Sequence, residues 1–212
     1  MKSSCIICCC YKIEDNIIKR FLEINKNLDC DIVLVSDRDL NFYDKYIIYK
    51  NQEIFNFSKT LNFGIKNSLN YNKIVKTDID IYIPDNTFNK AIEITNEDSG
   101  TIFLCSNCNY DSLARQEKIW PQGSRIRNRG YGALFSMTNN NWIKLFGYNE
   151  NLYGWGGEDN DLYNRATKII TVSICKDYPL FHINHESRNN SFFPIMSKQN
   201  IKKSKLPYEQ WS

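Results

Sequence analysis

The chain has 212 residues, 42% of them hydrophobic, and its 27 Lys and Arg against 24 Asp and Glu leave a net charge of +3. That length suits one α/β domain with a full core, and so slight a charge gives no argument for a nucleic-acid partner. No stretch of about 18 apolar residues occurs, so no transmembrane segment is expected.

The eight cysteines look many. The apolar run at 5–10 carries no signal-peptide cleavage pattern, so a reducing, cytoplasmic setting is expected. The cysteines then serve as small buried hydrophobes. Cys105-Ser106-Asn107-Cys108 is a single CxxC with no second pair, which argues against structural zinc. Lysines 198, 202, 203 and 205 read as a solvated tail.

Residues 4–10 (SCIICCC) form a continuous apolar run, as a buried strand would. Ile13, Ile17, Ile18, Phe21 and Ile24 recur at helical spacing over 13–26. Residues 31–36 and 46–49 read as a second and third strand. A helix over 58–70 would be opened by Ser58, a good N-cap. A strand at 73–77, a helix at 85–96 and a strand at 101–104 follow. The stretch 105–129 has no periodicity and is rich in Arg, Asn and Gly, which predicts a long functional loop. Strand 131–137, helices 138–146 and 158–168 and strand 170–175 complete the chain. This alternation predicts an α/β domain with a mostly parallel central sheet and helices on both faces. No internal repeat or linker appears.

In such a sheet, ligands bind beyond the carboxyl ends of the strands. After the strand 73–77 come Asp78-Ile79-Asp80, whose carboxylates point to one side of an extended chain. Together they suit a hard divalent cation bridging a diphosphate, although Asp-x-Asp alone also reads as turn acids. The chain's two histidines, His182 and His185, are three residues apart. Imidazole beside carboxylate suits Mn²⁺ or Fe²⁺; incidental histidines are the competing reading.

The most informative stretch is 147–165, GYNENLYGWGGEDNDLYNR. Asn149, Glu150, Glu158, Asp159 and Asp161 surround the aromatic-glycine core 153–157. Glycines allow positive φ and close backbone approach, a Trp offers a face to a sugar ring, and acids at a helix start are favoured in ionised form. The combination suits a polyhydroxylated acceptor whose hydroxyl must be deprotonated.

These blocks carry a family resemblance. Residues 55–86 (FNFSKTLNFGIKNSLNYNKIVKTDIDIYIPDN) resemble the donor half of nucleotide-sugar glycosyltransferases with the GT-A fold. Residues 129–165 resemble the acceptor half of the β-1,4-galactosyltransferases and of chondroitin-polymerase-type transferases. The resemblance implies a single GT-A domain, with a nucleotide and donor half at 1–104, a donor-sugar and acceptor half at 105–185, and a tail or lid at 186–212. It implies a UDP-sugar donor, a glycan or glycoprotein acceptor and Mn²⁺, with Mg²⁺ as the substitute. Asp80, His182 and His185 would hold the metal, His182 standing where the galactosyltransferases have a Met. Asp78 would contact ribose or donor sugar, and Asp159 would be the catalytic base, expected to invert the anomeric centre. Trp155 would stack on an acceptor sugar, while Glu158 and Asp161 would hold acceptor hydroxyls or shape the loop. Gly132, within 130–133, would bring backbone to the donor sugar. Asp37 and Tyr11 would meet the uracil. The family's Phe-Asn-Arg motif reads Phe55-Asn56-Phe57, with Lys59 as the substitute cation, and one further family Asp is Asn160. Lacking the galactosyltransferases' anchor and lumenal disulfides, the chain looks more like a bacterial or large-virus version, or one domain of a longer protein. A retaining transferase, a UDP-sugar-binding module without turnover and a nucleotidyltransferase are the rival readings; the last lacks a glycine-rich loop after Cys10.

Overall fold

A computed structural model describes residues 2–50, 55–109, 132–152, 154 and 156–183. In chain order the elements are β1 (Ser4–Cys9), α1 (Asp15–Ile24), β2 (Asp31–Ser36), β3 (Tyr46–Ile48), α2 (Phe57–Lys66), β4 (Lys73–Thr77) and β5 (Ile81–Tyr82). Then come α3 (Asp85–Ile94), β6 (Ser99–Asn109), β7 (Leu134–Thr138), α4 (Asn139–Lys144), α5 (Glu158–Ala166) and β8 (Thr171–His182). The strands form one eight-stranded sheet in the order β3-β2-β1-β4-β7-β6-β8-β5. The first four run parallel. β7 is antiparallel to both β4 and β6, β8 is parallel to β6, and β5 is antiparallel to β8.

Strand β1 shows how the sequence builds two cores. Its side chains alternate across the sheet. Ile6 and Cys8 join Ile18 and Phe21 of α1 and Phe88 and Ala91 of α3 on one face. Cys5, Ile7 and Cys9 join Leu61 and Ile65 of α2, Trp142 of α4 and Leu162 of α5 on the other. A strand covered on both faces can be apolar throughout, which is why SCIICCC reads as a run rather than an alternation. The cysteines in it are buried, and burial raises the thiols of Cys5, Cys8 and Cys10. They act as core residues. No helix among the described residues is long and apolar enough to cross a membrane.

The structure departs from the sequence reading in five respects. Helix α2 is capped by Asn56, whose side chain accepts from the Lys59 amide at 3.0 Å. Ser58 lies in the first turn, and its buried hydroxyl has no hydrogen-bond partner among the described residues. The helix also stops at Lys66 rather than at 70, where Asn67 caps it. Strand β6 runs on to Asn109, so 105–109 pair with β8 and are not loop; residues 110–129 lie outside the described residues. Strand β8 likewise continues to His182, with register irregularities opposite Cys105 and Asn109. The two-residue β5 was not expected, yet it positions the site.

Candidate active site

The site is assembled where β4 ends. Asp78 and Asp80 follow that strand, and the chain turns at once into β5, which pairs Ile81 with His182 of β8. The Ile183 amide also donates to the Asp80 carbonyl at 2.7 Å. This pairing brings the acid and the imidazole together across a hundred residues of chain. His182 Nε2 stands 3.3 Å from Asp80 Oδ2. His185, the third expected ligand, lies outside the described residues, as does Trp155. Among the described residues no group of three or more His, Cys, Asp and Glu side chains gathers as a metal centre. The pair that is present, one carboxylate and one imidazole, fits the donor set of Mn²⁺.

Lys76, one residue before the end of β4, is the feature that sequence reasoning missed. Its side chain is wholly buried. Its ammonium donates to the Gly132 carbonyl at 2.7 Å and lies 2.9 Å from Asp78 Oδ1 and 3.4 Å from Asp159 Oδ1. The signal was present as a second lysine set within the short strand KIVKT.

Asp159 occupies the first turn of α5, reached through a glycine-rich approach. Gly154, Gly156 and Gly157 have φ of 74°, 108° and 90°, values that side chains resist. Besides the Lys76 contact, Asp159 Oδ1 accepts from the Tyr148 hydroxyl at 3.3 Å. Oδ2 packs against the bare Cα of Gly132, where an added Cβ would lie 2.0 Å away. Gly132 therefore makes room for Asp159 and supplies a carbonyl to Lys76.

Glu158 and Asp161 have the contacts of loop-shaping residues. Glu158 is buried, and its Oε2 accepts from the Gly156 amide at 2.6 Å. Burial pushes its carboxyl up to about 8, and the adjacent Asp159 adds to the rise. Asp161 pairs with Arg165 Nε at 2.8 Å, and that guanidinium donates to the carbonyls of Leu145 and Gly147. Burial likewise raises Asp78, to about 6, with Lys76 pulling the other way and Asp80 and Asp159 adding to the rise.

The expected nucleotide residues sit on the loops after β1 and β2. Tyr11 stacks on Phe55 with ring centroids 4.6 Å apart. Asp37 Oδ1 accepts from the Lys12 amide at 3.1 Å and from Arg38 at 3.3 Å. Lys59 is exposed on the first turn of α2. A further tie joins the two halves. Gly154 bridges the backbone of 55–57, while the Asn56 and Asn62 amides donate to Glu150. Asn62 and Tyr148 also exchange two bonds, to the Tyr148 carbonyl and from its amide.

A protein-family model described as the N-terminal domain of galactosyltransferase matches residues 118–185. Human β-1,4-galactosyltransferase 4 is 28% identical over 142 residues, 65% of this chain and 36% of its own length. Bovine β-1,4-galactosyltransferase 1 is 30% identical over 136 residues, 62% of this chain and 30% of its own. The chain thus spans about a third of the length of these curated relatives. Among solved structures, a Drosophila β-1,4-galactosyltransferase 7 variant in complex with manganese, UDP-Gal and xylobiose superposes with a TM-score of 0.65. It shares 11% sequence identity, over 98% of this chain and 81% of that one. The chain has the GT-A fold of nucleotide-sugar glycosyltransferases and is related in sequence to the β-1,4-galactosyltransferases.

Proposed function

We propose that the protein is a metal-dependent glycosyltransferase that moves a hexose from a UDP-sugar to a hydroxyl of a glycan acceptor, with inversion and with Asp159 as base. The observation that carries this reading is the convergence on Lys76. The acid of the donor strand, Asp78, and the acid of the acceptor helix, Asp159, both lie within 3.4 Å of one ammonium. A donor held at one and an acceptor held at the other would be neighbours. The sequence kinship with galactosyltransferases, and the UDP-Gal and manganese of a fold neighbour, support the choice of donor and metal.

Asp80 and His182, with His185 from beyond the described residues, would hold the metal. Mn²⁺ there would neutralise the diphosphate charge that builds as the leaving group departs. Asp78 would hold the donor's ribose or sugar, and the backbone at Gly132 would lie along it. Asp159 takes the proton from the acceptor hydroxyl. Its Oδ1 is occupied by Tyr148 and Lys76, so Oδ2 is the oxygen that would receive it. Attack from that side, opposite the diphosphate, inverts the anomeric centre. Tyr11, Asp37 and Lys59 would meet the nucleotide, and Trp155 would stack on the acceptor.

Calorimetric titration with UDP, GDP and CMP, each with and without Mn²⁺, tests the donor half. UDP alone should bind, and only with metal. Asp159→Asn should keep that binding and lose on the order of 10²–10⁴ in transfer rate. Asp80→Ala should lose metal-dependent UDP binding. Loss of UDP binding in Asp159→Asn would show that the two roles are wrongly divided, and preference for GDP would overturn the donor assignment. Wild-type protein that binds UDP with metal yet never turns over a UDP-sugar would make it a binding module.

A further inference from the structure

We propose that Lys76 is a positioning residue of the transfer reaction, holding Asp159 by one oxygen and fixing it relative to Asp78. The proposal rests on the glycosyltransferase reading above. Lys76 is in the middle of the sheet, opposite Ile7 of β1 and Phe135 of β7. An aliphatic side chain would fill that place without desolvating a charge, so packing does not explain a lysine. Its surroundings do. An ammonium has three protons to donate, and three oxygens meet it, each from a different segment. They are Asp78 at the end of β4, the Gly132 carbonyl before β7 and Asp159 on α5. Its Nζ also lies 5.5 Å from the Phe57 ring centroid, so α2 closes the remaining side.

Among the described residues, the other titratable groups around Lys76 are Tyr148, from the loop after α4, and Glu158, beside Asp159 on α5; both contribute to the electrostatics of this cluster. Because its side chain is wholly buried, Lys76 reaches no substrate. It acts through Asp159. Lys76 and Tyr148 both take Oδ1, which sets the carboxylate rotamer and leaves Oδ2 for the acceptor proton. Asp78 shares the same cation, so a shift of the donor strand is passed to the base.

The test is Lys76→Met, which keeps length and loses charge. Its acceptor KM should stay within about threefold of wild type, and its Mn²⁺-dependent UDP affinity should fall far less than kcat, which drops on the order of 10². A kcat within about threefold of wild type, or a UDP affinity that falls in step with kcat, would overturn the proposal. Nuclear magnetic resonance of the Lys76 ammonium in otherwise wild-type protein gives a second reading that needs neither a folded Lys76→Met nor activity. The ¹⁵N resonance should move in Asp159→Asn, and a resonance that stays in place would sink the tie. Wild-type protein that fails to bind UDP or transfer sugar would instead sink the functional reading, with the resonance still reporting the contact.

Discussion

Two carboxyls side by side at the start of α5 face opposite demands. Asp159 keeps side-chain hydrogen-bond donors on Oδ1, whereas Glu158 is buried with backbone amides to accept from. The positive end of the helix favours a charged Glu158, but desolvation outweighs it and holds the proton on up to about pH 8, against an ordinary 4.5. Between those values the folded protein binds a proton that the unfolded chain has released. Stability must therefore fall as pH rises through that window. Glu158→Gln keeps the amide acceptor and has no proton to lose. Its thermal midpoint should gain on wild type steadily from about pH 5 to about pH 8.5. The slope due to Asp78, raised to about 6, remains in both proteins and cancels in the comparison. Parallel curves across the whole range would show that Glu158 is not the buried acid described here.

At the scale of elements, the donor and acceptor halves are joined through the N-terminus of α2. Asn56 does two things there: its oxygen caps the helix at the Lys59 amide, and its nitrogen donates to the Glu150 carbonyl at 2.7 Å. Losing both should cost about 2 kcal/mol, roughly 1 for the cap and roughly 1 for the cross-link. Ser58, buried beside it with no partner for its hydroxyl, should tolerate alanine with a change near zero. Urea unfolding of Asn56→Ala and Ser58→Ala checks this, read from midpoints at constant slope. Equal losses would refute the assignment of the cap. From sequence Ser58 reads as the cap, although local preference ranks Asn and Ser alike at that position. What decides between them is Glu150, 94 residues away, which no local pattern displays. Strands β1, β2 and β4 were legible to within a residue, because a strand covered on both faces shows a continuous apolar run. Strand β5, two residues long, has no periodicity to read. Lys76 was visible as an odd residue in an apolar strand, but its partners Gly132 and Asp159 lie 56 and 83 positions away, so its meaning was not.

For the whole molecule, the decisive feature is that the sheet changes direction beside β4. Four parallel strands end there, and β7 returns antiparallel. A doubly wound sheet places its ligands at the carboxyl ends of such strands, here the end of β4. The chain sets Asp78 and Asp80 there, then brings His182 from β8 and Asp159 from α5. Asp80 and His182 are brought together by the two-residue pairing of β5 and the Ile183 backbone bond, and a shared cation would add a further tie between them. Metal and UDP should therefore stabilise the fold jointly rather than separately. At a UDP concentration about 100-fold above its dissociation constant, with Mn²⁺ saturating, the gain is about 2.7 kcal/mol. For a chain of this size that is a rise in thermal midpoint of about 5–10 °C. UDP with a chelator should give almost none of it, and Asp80→Ala should remove it even with metal present. An equal rise with UDP whether or not metal is present would mean that the nucleotide is held by the β1 and β2 loops alone. The pairing of Asp80 with His182 would then serve the fold rather than a cation.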